Sequence, residues 1–289
     1  MSSWLPILVT LAVTGTAFAQ RDFSGVEIKS TRLGDSIYML EGRGGNIGVS
    51  VGADGVLIVD DQFAPLAEKI RAAIGELGGG DPTFVLNTHY HGDHTGGNAH
   101  FGKTGVIVAH RNVRKRLEAR RVDDRPLPEA ALPEITFDRG LSIHFNGEEL
   151  RVVHFPNAHT DGDGVVFFTG SNVVHTGDLL FNGRFPYVDL RGGGNVQGYI
   201  EAVRSLLKQI PPDARIIPGH GPLAGPEDMK TALEMLETCA SLVKESIAAG
   251  KTLEEIQAAG VPEKWQSWGQ GWMSTDRWLS IVYNSYKRP

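Results

Sequence analysis

The sequence predicts an α/β protein of four layers, in which two β-sheets are enclosed between two layers of helices (αββα). The first observation is the order of predicted elements, because strands, helix, strand and helix follow one another twice along the 289 residues. The second is composition: 41% hydrophobic and 21% charged residues are typical of a globular protein with a sizeable core. Layer rules permit two such halves to pack through their sheets, although periodicity alone does not single out this arrangement.

The first half opens with short strands separated by glycine and aspartate turn signals, predicted for residues 26–30, 37–41, 47–51 and 56–59. Glycine-rich residues 42–46 predict a flexible hairpin tip. Apolar side chains recur at helical spacing across residues 66–77, which predicts a helix. A short buried strand follows at 84–86, and a cluster of polar residues stands at its carboxyl end. Sites in layered α/β proteins gather at such strand ends.

The second half begins after a strand at 106–109, a basic helix at 112–121 and a proline-rich, irregular connection at 122–134. The elements predicted next are strands at 141–145, 150–155, 165–168 and 173–175, a helix at 196–209 and a strand at 215–217. A long helix is predicted to begin near Pro226, with one apolar face formed by Leu233, Leu236, Ala240, Val243 and Ile247. Two further short helices are expected to close the chain.

The first 20 residues carry no charged side chain, and an apolar run over 4–13 leads to small residues at Ala17 and Ala19. This pattern predicts a secretory signal peptide cleaved after Ala19 or Gln20, although the segment before the run lacks a basic side chain. An apolar core strand or a membrane anchor is the alternative, but the run is short for a span. We therefore expect a signal peptide at 1–20, one domain at 21–289, no stable span after cleavage, and a periplasmic or secreted protein.

Charge and cysteine content exclude two classes. The formal net charge is −6, so there is no basic excess to indicate a nucleic-acid partner, and a nuclease is disfavoured. The single cysteine, Cys239, rules out an intramolecular disulfide. It lies in an apolar helical stretch, where a small core residue is the expected role.

The most informative segment is residues 88–95, Thr-His-Tyr-His-Gly-Asp-His-Thr. It places four metal-ligand side chains within six positions: His89, His91, Asp93 and His94. Imidazole suits Zn, Cu, Fe and Ni, and carboxylate adds a harder oxygen donor. So dense a cluster would be costly to bury without a metal, because each polar group would need its own partner.

Three later residues complete the candidate ligand set. His159, Asp178 and His220 each follow a predicted strand and lie in a glycine-containing turn. With the four earlier ligands they make seven, which is enough for two adjacent metal ions. The isolated histidines at 100, 110, 144 and 154 are expected to be surface or hydrogen-bonded residues. His175 is expected to pack within its strand, with support of the nearby Asp178 as the alternative.

The order and spacing of these residues, His89-x-His91-x-Asp93-His94 followed by His159, Asp178 and His220, resembles the ligand set of the metallo-β-lactamase superfamily. The resemblance spans nearly all of residues 21–289. It implies the αββα sandwich of two mixed sheets with helices on the outer faces and a site at the sheet edge. It also implies two groups of ligands bridged by one aspartate: His89, His91 and His159 for the first metal, Asp93, His94 and His220 for the second, and Asp178 between them.

The resemblance implies a hydrolase with two Zn²⁺ ions, and a bound Zn²⁺ lowers the pKa of its water to about 7, which supplies hydroxide at neutral pH. Asp93 would ligate one metal and accept a hydrogen bond from the attacking hydroxide. A non-enzymatic metal carrier is disfavoured, because open metal positions are a catalytic feature.

The substrate remains open among small molecules: a β-lactam, a thioester or a lactone. Asp178 resembles the glyoxalase II branch, whereas the commonest β-lactamases have cysteine there, and a carboxylate also admits Fe or Mn. Expected export favours a β-lactam, as does Gly194-Asn195, which resembles the element that places an oxyanion-binding Asn in β-lactamases. An N-cap is the alternative role of Asn195. Residues 42–46 resemble a substrate-covering flap. Arg184 and Arg191 are candidates to replace the lysine that binds the substrate carboxylate in many β-lactamases, with a solvated surface role as the alternative.

From these features we expect a dinuclear zinc hydrolase that opens β-lactam rings, with an exported thioesterase or lactonase of the glyoxalase II type as the alternative. The residues expected to act in catalysis are Asp93 and Asn195.

Overall fold

The computed structural model describes residues 22–287; the expected signal peptide lies outside the described residues. The strands are β1 (Lys29–Arg32), β2 (Ile37–Glu41), β3 (Ile47–Gly52), β4 (Gly55–Val59), β5 (Pro82–Asn87), β6 (Val106–His110), β7 (Arg121–Val122), β8 (Arg125–Pro126), β9 (Ile135–Phe137), β10 (Gly140–Phe145), β11 (Glu148–Phe155), β12 (Asp163–Phe168), β13 (Val173–Phe181) and β14 (Arg215–His220). The helices are α1 (Ala67–Glu76), α2 (Gly92–Thr95), α3 (Asn98–Phe101), α4 (Arg111–Ala119), α5 (Val196–Leu207), α6 (Pro226–Ala248), α7 (Leu253–Ala259), α8 (Glu263–Gln266) and α9 (Thr275–Lys287). Short 3₁₀ turns occupy Ala64–Leu66, Glu129–Ala131 and Ser267–Gln270.

Both large sheets mix parallel and antiparallel pairs. The first has the strand order β1-β2-β3-β4-β5-β6-β9, antiparallel up to β4 and parallel from β4 to β9. The second has the order β10-β11-β12-β13-β14, in which only β13 and β14 run parallel. The strands β7 and β8 form a separate two-stranded ribbon. The predicted pair of mixed sheets is therefore confirmed.

The four layers follow from the alternation of side chains along each strand. In β12, Val166 and Phe168 face the first sheet, where they pack in one buried cluster with Leu57 and Leu86. Their neighbours Val165 and Phe167 face the helices α5, α6 and α9 on the opposite side. On the outer face of the first sheet, Ile58, Val85 and Ile107 pack against Leu66, Ile70 and Ile74 at and within α1. The αββα prediction is confirmed.

Several predicted boundaries shift because strand pairing decides where elements end. The first strand lies at Lys29–Arg32, not at 26–30, since its partners are residues of β2. The strand predicted to stop at 175 continues to Phe181, because β13 pairs with β14 through two irregularities around Gly177, whose φ is +50°. Residues 122–134 were expected to be irregular, and part of the β7–β8 ribbon lies within them.

None of the helices within residues 22–287 combines the length and apolar character that crossing a bilayer requires.

Candidate metal centre

The seven predicted ligand residues meet at one edge of the two sheets. The first four follow the carboxyl end of β5, where the chain turns into the short helix α2. His159 lies in the connection between β11 and β12, Asp178 lies within β13, and His220 is the last residue of β14. Residues that are up to 131 positions apart therefore converge, because β5 in the first sheet and β14 in the second both end at the edge where the ligands lie.

Four of the residues form a first donor group: His89, His91, His159 and Asp178, whose ligand atoms lie within 4.8 Å of one another. His91 Nδ1 is 3.0 Å from His89 Nε2 and 2.9 Å from His159 Nε2. The Oδ2 atom of Asp178 is 3.2 Å from His159 Nε2. This geometry places three imidazole nitrogens and one carboxylate oxygen around a single point, as a tetrahedral site requires.

The second donor group consists of Asp93, His94 and His220. His220 Nε2 is 3.4 Å from both His94 Nε2 and Asp93 Oδ2. Asp178 faces this group with its other oxygen, since Oδ1 lies 3.2 Å from His94 Nε2 and 3.4 Å from His220 Nε2. The Asp178 carboxylate therefore lies between the two donor groups. The members of each group are those that the resemblance implies.

Three of the five ligand histidines have the ring nitrogen that points away from the cluster close to a hydrogen-bond acceptor. His159 Nδ1 is 2.7 Å from the Tyr187 carbonyl oxygen, and His94 Nδ1 is 2.7 Å from Asp60 Oδ2. His91 Nε2 is 3.0 Å from Asp189 Oδ2. An N–H that points outward leaves the lone pair of the other nitrogen directed into the cluster, which fixes the tautomer that binds metal.

His89 reaches its acceptor through a hydroxyl. Its Nδ1 lies 3.1 Å from Thr88 Oγ1, and that hydroxyl donates to Asp60 Oδ2 at 2.7 Å. The Thr88 backbone N–H donates to the other Asp60 oxygen at 2.7 Å. Because the hydroxyl proton is committed to Asp60, the oxygen is free to accept from His89. Asp60 thus orients one histidine of each donor group.

Burial and mutual contacts set the charge states of the ligands. Burial lowers the pKa of His89 well below its ordinary value and that of His159 to about 4, so both rings are neutral at pH 7. Burial alone would raise the pKa of the Asp178 carboxyl, but the surrounding imidazoles, led by His94 and His220, hold it well below its ordinary value. Burial opposes protonation of His94, yet the carboxylates of Asp178, Asp60 and Asp93 together raise the pKa of His94.

The residues fit one or two divalent metal ions. Asp178 Oδ1 is buried and has no hydrogen-bond partner among the described residues, which is costly for a carboxylate oxygen. A cation held by imidazole and carboxylate donors would supply the missing partner at that oxygen. We therefore assign this cluster as a candidate His/Asp metal site.

The open side of the cluster is formed by three ligands. Side chains of His91, Asp93 and His220 are 18%, 29% and 14% exposed, whereas those of the other four are 4% exposed or less. A substrate must therefore approach past these three side chains, and Asp93 has the most accessible carboxylate.

Two glycines allow the backbone to approach the ligands closely. A Cβ atom at Gly219 would collide with Asp178 Oδ1 and lie 2.7 Å from the Gly177 backbone carbon. A Cβ atom at Gly45 would collide with the ring of His94. A side chain at Gly45 would therefore displace His94, and one at Gly219 would displace the bridging Asp178 carboxylate.

The segment 42–46 differs from the expected flexible tip at its carboxyl end. The Gly45 N–H donates to the Asp93 carbonyl oxygen at 3.0 Å, and the Asn46 N–H donates to the Gly219 carbonyl oxygen at 2.8 Å. The buried Asn46 side chain also donates to the carbonyl oxygens of Pro218 and Gly221. These bonds join the β2–β3 connection to α2 and to the end of β14, so residues 45–46 form one side of the metal centre and are not a free flap.

Asn195 is the N-cap of α5, where its Oδ1 accepts a hydrogen bond from the Gly198 N–H at 2.7 Å. Its side chain lines a surface cavity together with His154, Asn157 and Glu201, and none of the residues around that cavity is one of the seven ligands. The capping role, one of the two alternatives from the sequence, explains this asparagine. Its expected role toward a substrate carbonyl stays a prediction.

The remaining histidines behave as structural residues. His175 is buried, with Nδ1 accepting from the Gly177 N–H and Nε2 directed at the Asn46 carbonyl oxygen. The rings of His110 and His154 stack with centroids 3.7 Å apart. The Cys239 side chain is buried in the core cluster around α6.

Sequence reasoning missed Asp60, Asp189 and Thr88, which orient the ligand histidines. Asp60 carried one usable signal, because it directly follows the apolar strand β4 and so stands at the same sheet edge as the ligands. Asp189 carried none, since it lies in the irregular segment between β13 and α5.

Comparisons with known proteins identify the family of this chain. Residues 40–220 match the family profile described as "Metallo-beta-lactamase superfamily". A hydroxyacylglutathione hydrolase of Nitrosococcus oceani is 31% identical over 160 residues, 54% of this chain and 55% of that protein. The acyl-coenzyme A thioesterase MBLAC2 of Gallus gallus is 25% identical over 228 residues, 68% of this chain and 81% of that protein. This chain therefore spans about half the length of the hydroxyacylglutathione hydrolase.

A solved structure, described as a metallo-beta-lactamase from Pontibacter korlensis, superposes with a TM-score of 0.61 at 17% identity, covering 73% of this chain and 99% of that one. At this identity the likeness shows the fold alone. The fold, the convergent His/Asp cluster and the family match agree, and the resemblance inferred from the ligand residues is confirmed. The chain belongs to the metallo-β-lactamase superfamily of metal-dependent hydrolases.

Proposed function

We propose that this chain is a dinuclear zinc hydrolase that cleaves thioesters. The observation that carries the proposal is the Asp178 carboxylate, whose two oxygens lie 3.2 Å from His159 Nε2 and 3.2 Å from His94 Nε2, one in each donor group. Support for a thioester comes from the relatives named as hydroxyacylglutathione hydrolase and acyl-coenzyme A thioesterase. The sequence alone favoured a β-lactam as the substrate. Because of these relatives, we rank a thioester first and a β-lactam second.

Zinc is proposed because imidazoles make up five of the seven ligands, and a carboxylate in place of a thiolate leaves iron or manganese as alternatives. Two such ions would activate water and stabilise the oxyanion that forms on the attacked carbonyl. The neutral rings of His89 and His159 leave their lone pairs available, and their outer partners keep both rings from turning.

Asp93 is proposed to receive a proton during the reaction. Its side chain is the most exposed of the seven ligands, at 29%, so water and substrate can reach it. Its Oδ2 belongs to the second donor group, 3.4 Å from His220 Nε2, which fixes the carboxylate at the open face of the cluster. A carboxylate held in this position can accept the proton of the attacking water and pass it to the leaving thiol.

β-Lactam hydrolysis is the second candidate. It is favoured by the uncharged segment at 1–20, whose composition predicts export to the periplasm or the cell exterior. It requires the same attack on an acyl carbon, so the seven ligands alone do not distinguish the two reactions. The role of Asn195 toward a lactam carbonyl is left out of this proposal, because its side chain lines a cavity that contains none of the seven ligands.

The proposal is tested on purified protein loaded separately with zinc, iron and manganese, with metal content measured in each sample. Rates are compared for S-lactoylglutathione, butyryl-coenzyme A, a γ-lactone, nitrocefin and a carbapenem. We expect the thioesters to be hydrolysed fastest by the zinc form, and a chelator to abolish turnover. Nitrocefin turnover that exceeds every thioester rate would reverse the order of the two candidates.

A further inference from the structure

Three aromatic side chains form a continuous surface beside the candidate metal centre, and we call Phe181, Tyr187 and Trp272 the aromatic wall. The Phe181 ring stacks on His220 with centroids 4.9 Å apart and an interplanar angle of 24°. The Tyr187 ring lies 5.7 Å from His91 and 5.9 Å from His159. Trp272 lies 6.5 Å from Phe181 and 6.2 Å from Tyr187. These separations are within the range of aromatic contact.

The aromatic wall extends from the ligands to the solvent. Phe181 is buried, whereas Trp272 is 48% exposed and is one of three large hydrophobic side chains that the described residues expose. The other two, Val122 and Ile135, lie on strands β7 and β9 and take no part in the wall. An exposed indole loses favourable burial unless another apolar group covers it. Of the three, only Trp272 contacts Phe181 and Tyr187, the two rings that lie against ligand histidines.

The position of Trp272 is fixed by its surroundings. Arg277 Nη1 donates to the Trp272 carbonyl oxygen at 2.8 Å, and its guanidinium carbon lies 5.5 Å from the indole centroid. The next residue, Met273, is 1% exposed in the core. The preceding 3₁₀ turn is tied to the connection after β13 by a bond from the Phe185 N–H to the Trp268 carbonyl oxygen. The surface is therefore preformed, which lowers the entropic cost of binding.

We propose that the aromatic wall binds an apolar, ring-containing acyl group of the substrate, directly beside the carbonyl that is attacked. This inference rests on the proposed hydrolysis of thioesters and narrows its substrate class. A group seated on Phe181 and Tyr187 touches the same side chains that contact His220, His91 and His159, so it belongs to the molecule that reacts at the metal centre. Three rings are too small a surface for a stable protein partner.

The segment that carries Trp272 lies beyond residues 40–220, the part that matches the superfamily profile. The helical carboxyl-terminal region thus supplies a specificity-determining side chain to a metal centre built by the shared part of the fold. Relatives with other residues at this place would accept other acyl groups.

The test compares phenylacetyl and acetyl thioesters of N-acetylcysteamine on the zinc-loaded protein. We expect the wild type to prefer the phenylacetyl substrate in kcat/KM by at least about tenfold. Trp272→Ala should lose that preference through a higher KM for the phenylacetyl substrate, with a much smaller change for the acetyl substrate. Trp272→Phe should retain most of the preference. Ile135→Ala removes an apolar side chain of similar exposure on β9, and it should leave kcat/KM unchanged for both substrates. Equal losses on both substrates in Trp272→Ala would overturn the proposal.

A binding measurement separates this inference from the proposed reaction. If the wild type hydrolyses neither thioester, the proposed function fails, and calorimetric titration of the zinc-loaded protein with phenylacetate and acetate then decides the role of the wall. Tighter binding of phenylacetate, reduced about tenfold in Trp272→Ala, supports the wall. Equal affinity for both carboxylates contradicts it, whatever the catalytic result.

Discussion

The Nδ1 atom of His94 lies 2.7 Å from Oδ2 of Asp60, and both side chains are completely buried. Asp60 adopts the left-handed region with φ of 66°, which directs its carboxylate back toward the sheet edge. The same carboxylate accepts two hydrogen bonds from Thr88, next to His89. One aspartate that binds no metal in the proposed arrangement therefore orients a histidine in each donor group.

Asp60→Asn is expected to weaken metal binding by about 10–100-fold, because the amide keeps the volume but loses the charge that holds the His94 N–H. Competition with a chelator measures the affinity, and circular dichroism checks the fold. Unchanged metal affinity in a folded variant would show that the Asp60 contact does not orient His94.

Asp93→Asn is expected to lower kcat by about 10²–10⁴-fold with little change in thermal stability, since the side chain is partly exposed and its proposed role is to receive a proton. Steady-state kinetics on metal-quantified protein give the comparison. Asp138→Asn is the matched control, because Asp138 is an exposed carboxylate paired with Arg111, and its rate should stay near that of the wild type. A wild-type rate in Asp93→Asn would remove Asp93 from the mechanism.

Gly219→Ala is expected to destabilise the protein by about 1–3 kcal/mol, because the new methyl group overlaps Asp178 Oδ1 and the Gly177 backbone. Metal content should fall with it, since the bridging carboxylate is displaced. Denaturant unfolding and metal analysis measure the two effects. Gly75→Ala near the end of α1 is the control: nothing lies within 4 Å of its Cβ position, so a gain of about 0.5–1 kcal/mol is expected.

Asp163 is expected to make stability fall as pH rises from about 4 to about 7. Burial raises the pKa of this carboxyl to about 7 in the folded protein, above the ordinary 3.8, although hydrogen bonds from Thr160 oppose the shift. The folded state then holds a proton that the unfolded state releases over this interval, so raising the pH favours unfolding by up to about 4 kcal/mol.

Asp163→Asn should flatten this pH dependence, because an amide does not titrate and can still bond to Thr160. Urea unfolding of the metal-free wild type and variant, measured from pH 4 to pH 8, gives the difference between the two curves. Parallel curves would mean that Asp163 ionises at its ordinary pKa.

Local features were enough to identify most strands and the seven candidate ligands. Apolar runs and turn residues mark the strands because alternation and turn preferences act within a few positions. His89, His91, Asp93 and His94 are apparent because four ligand types in six positions require no knowledge of distant residues. Residue type and order alone also indicated the superfamily, and the family match agrees.

Contacts between distant segments could not be predicted in this way, and they decide how the site works. Three such contacts are Asp60 with His94, Asn46 with Gly219 of β14, and Trp272 with Phe181. Their positions are 34, 173 and 91 apart in the chain. Strand order, register and the docking of the carboxyl-terminal helices bring these pairs together. The sequence by itself determined which side chains are available for metal chemistry. The tertiary structure decided which nitrogen of each histidine faces the cluster and which side chains border the metal centre, because both depend on packing between segments far apart in the chain.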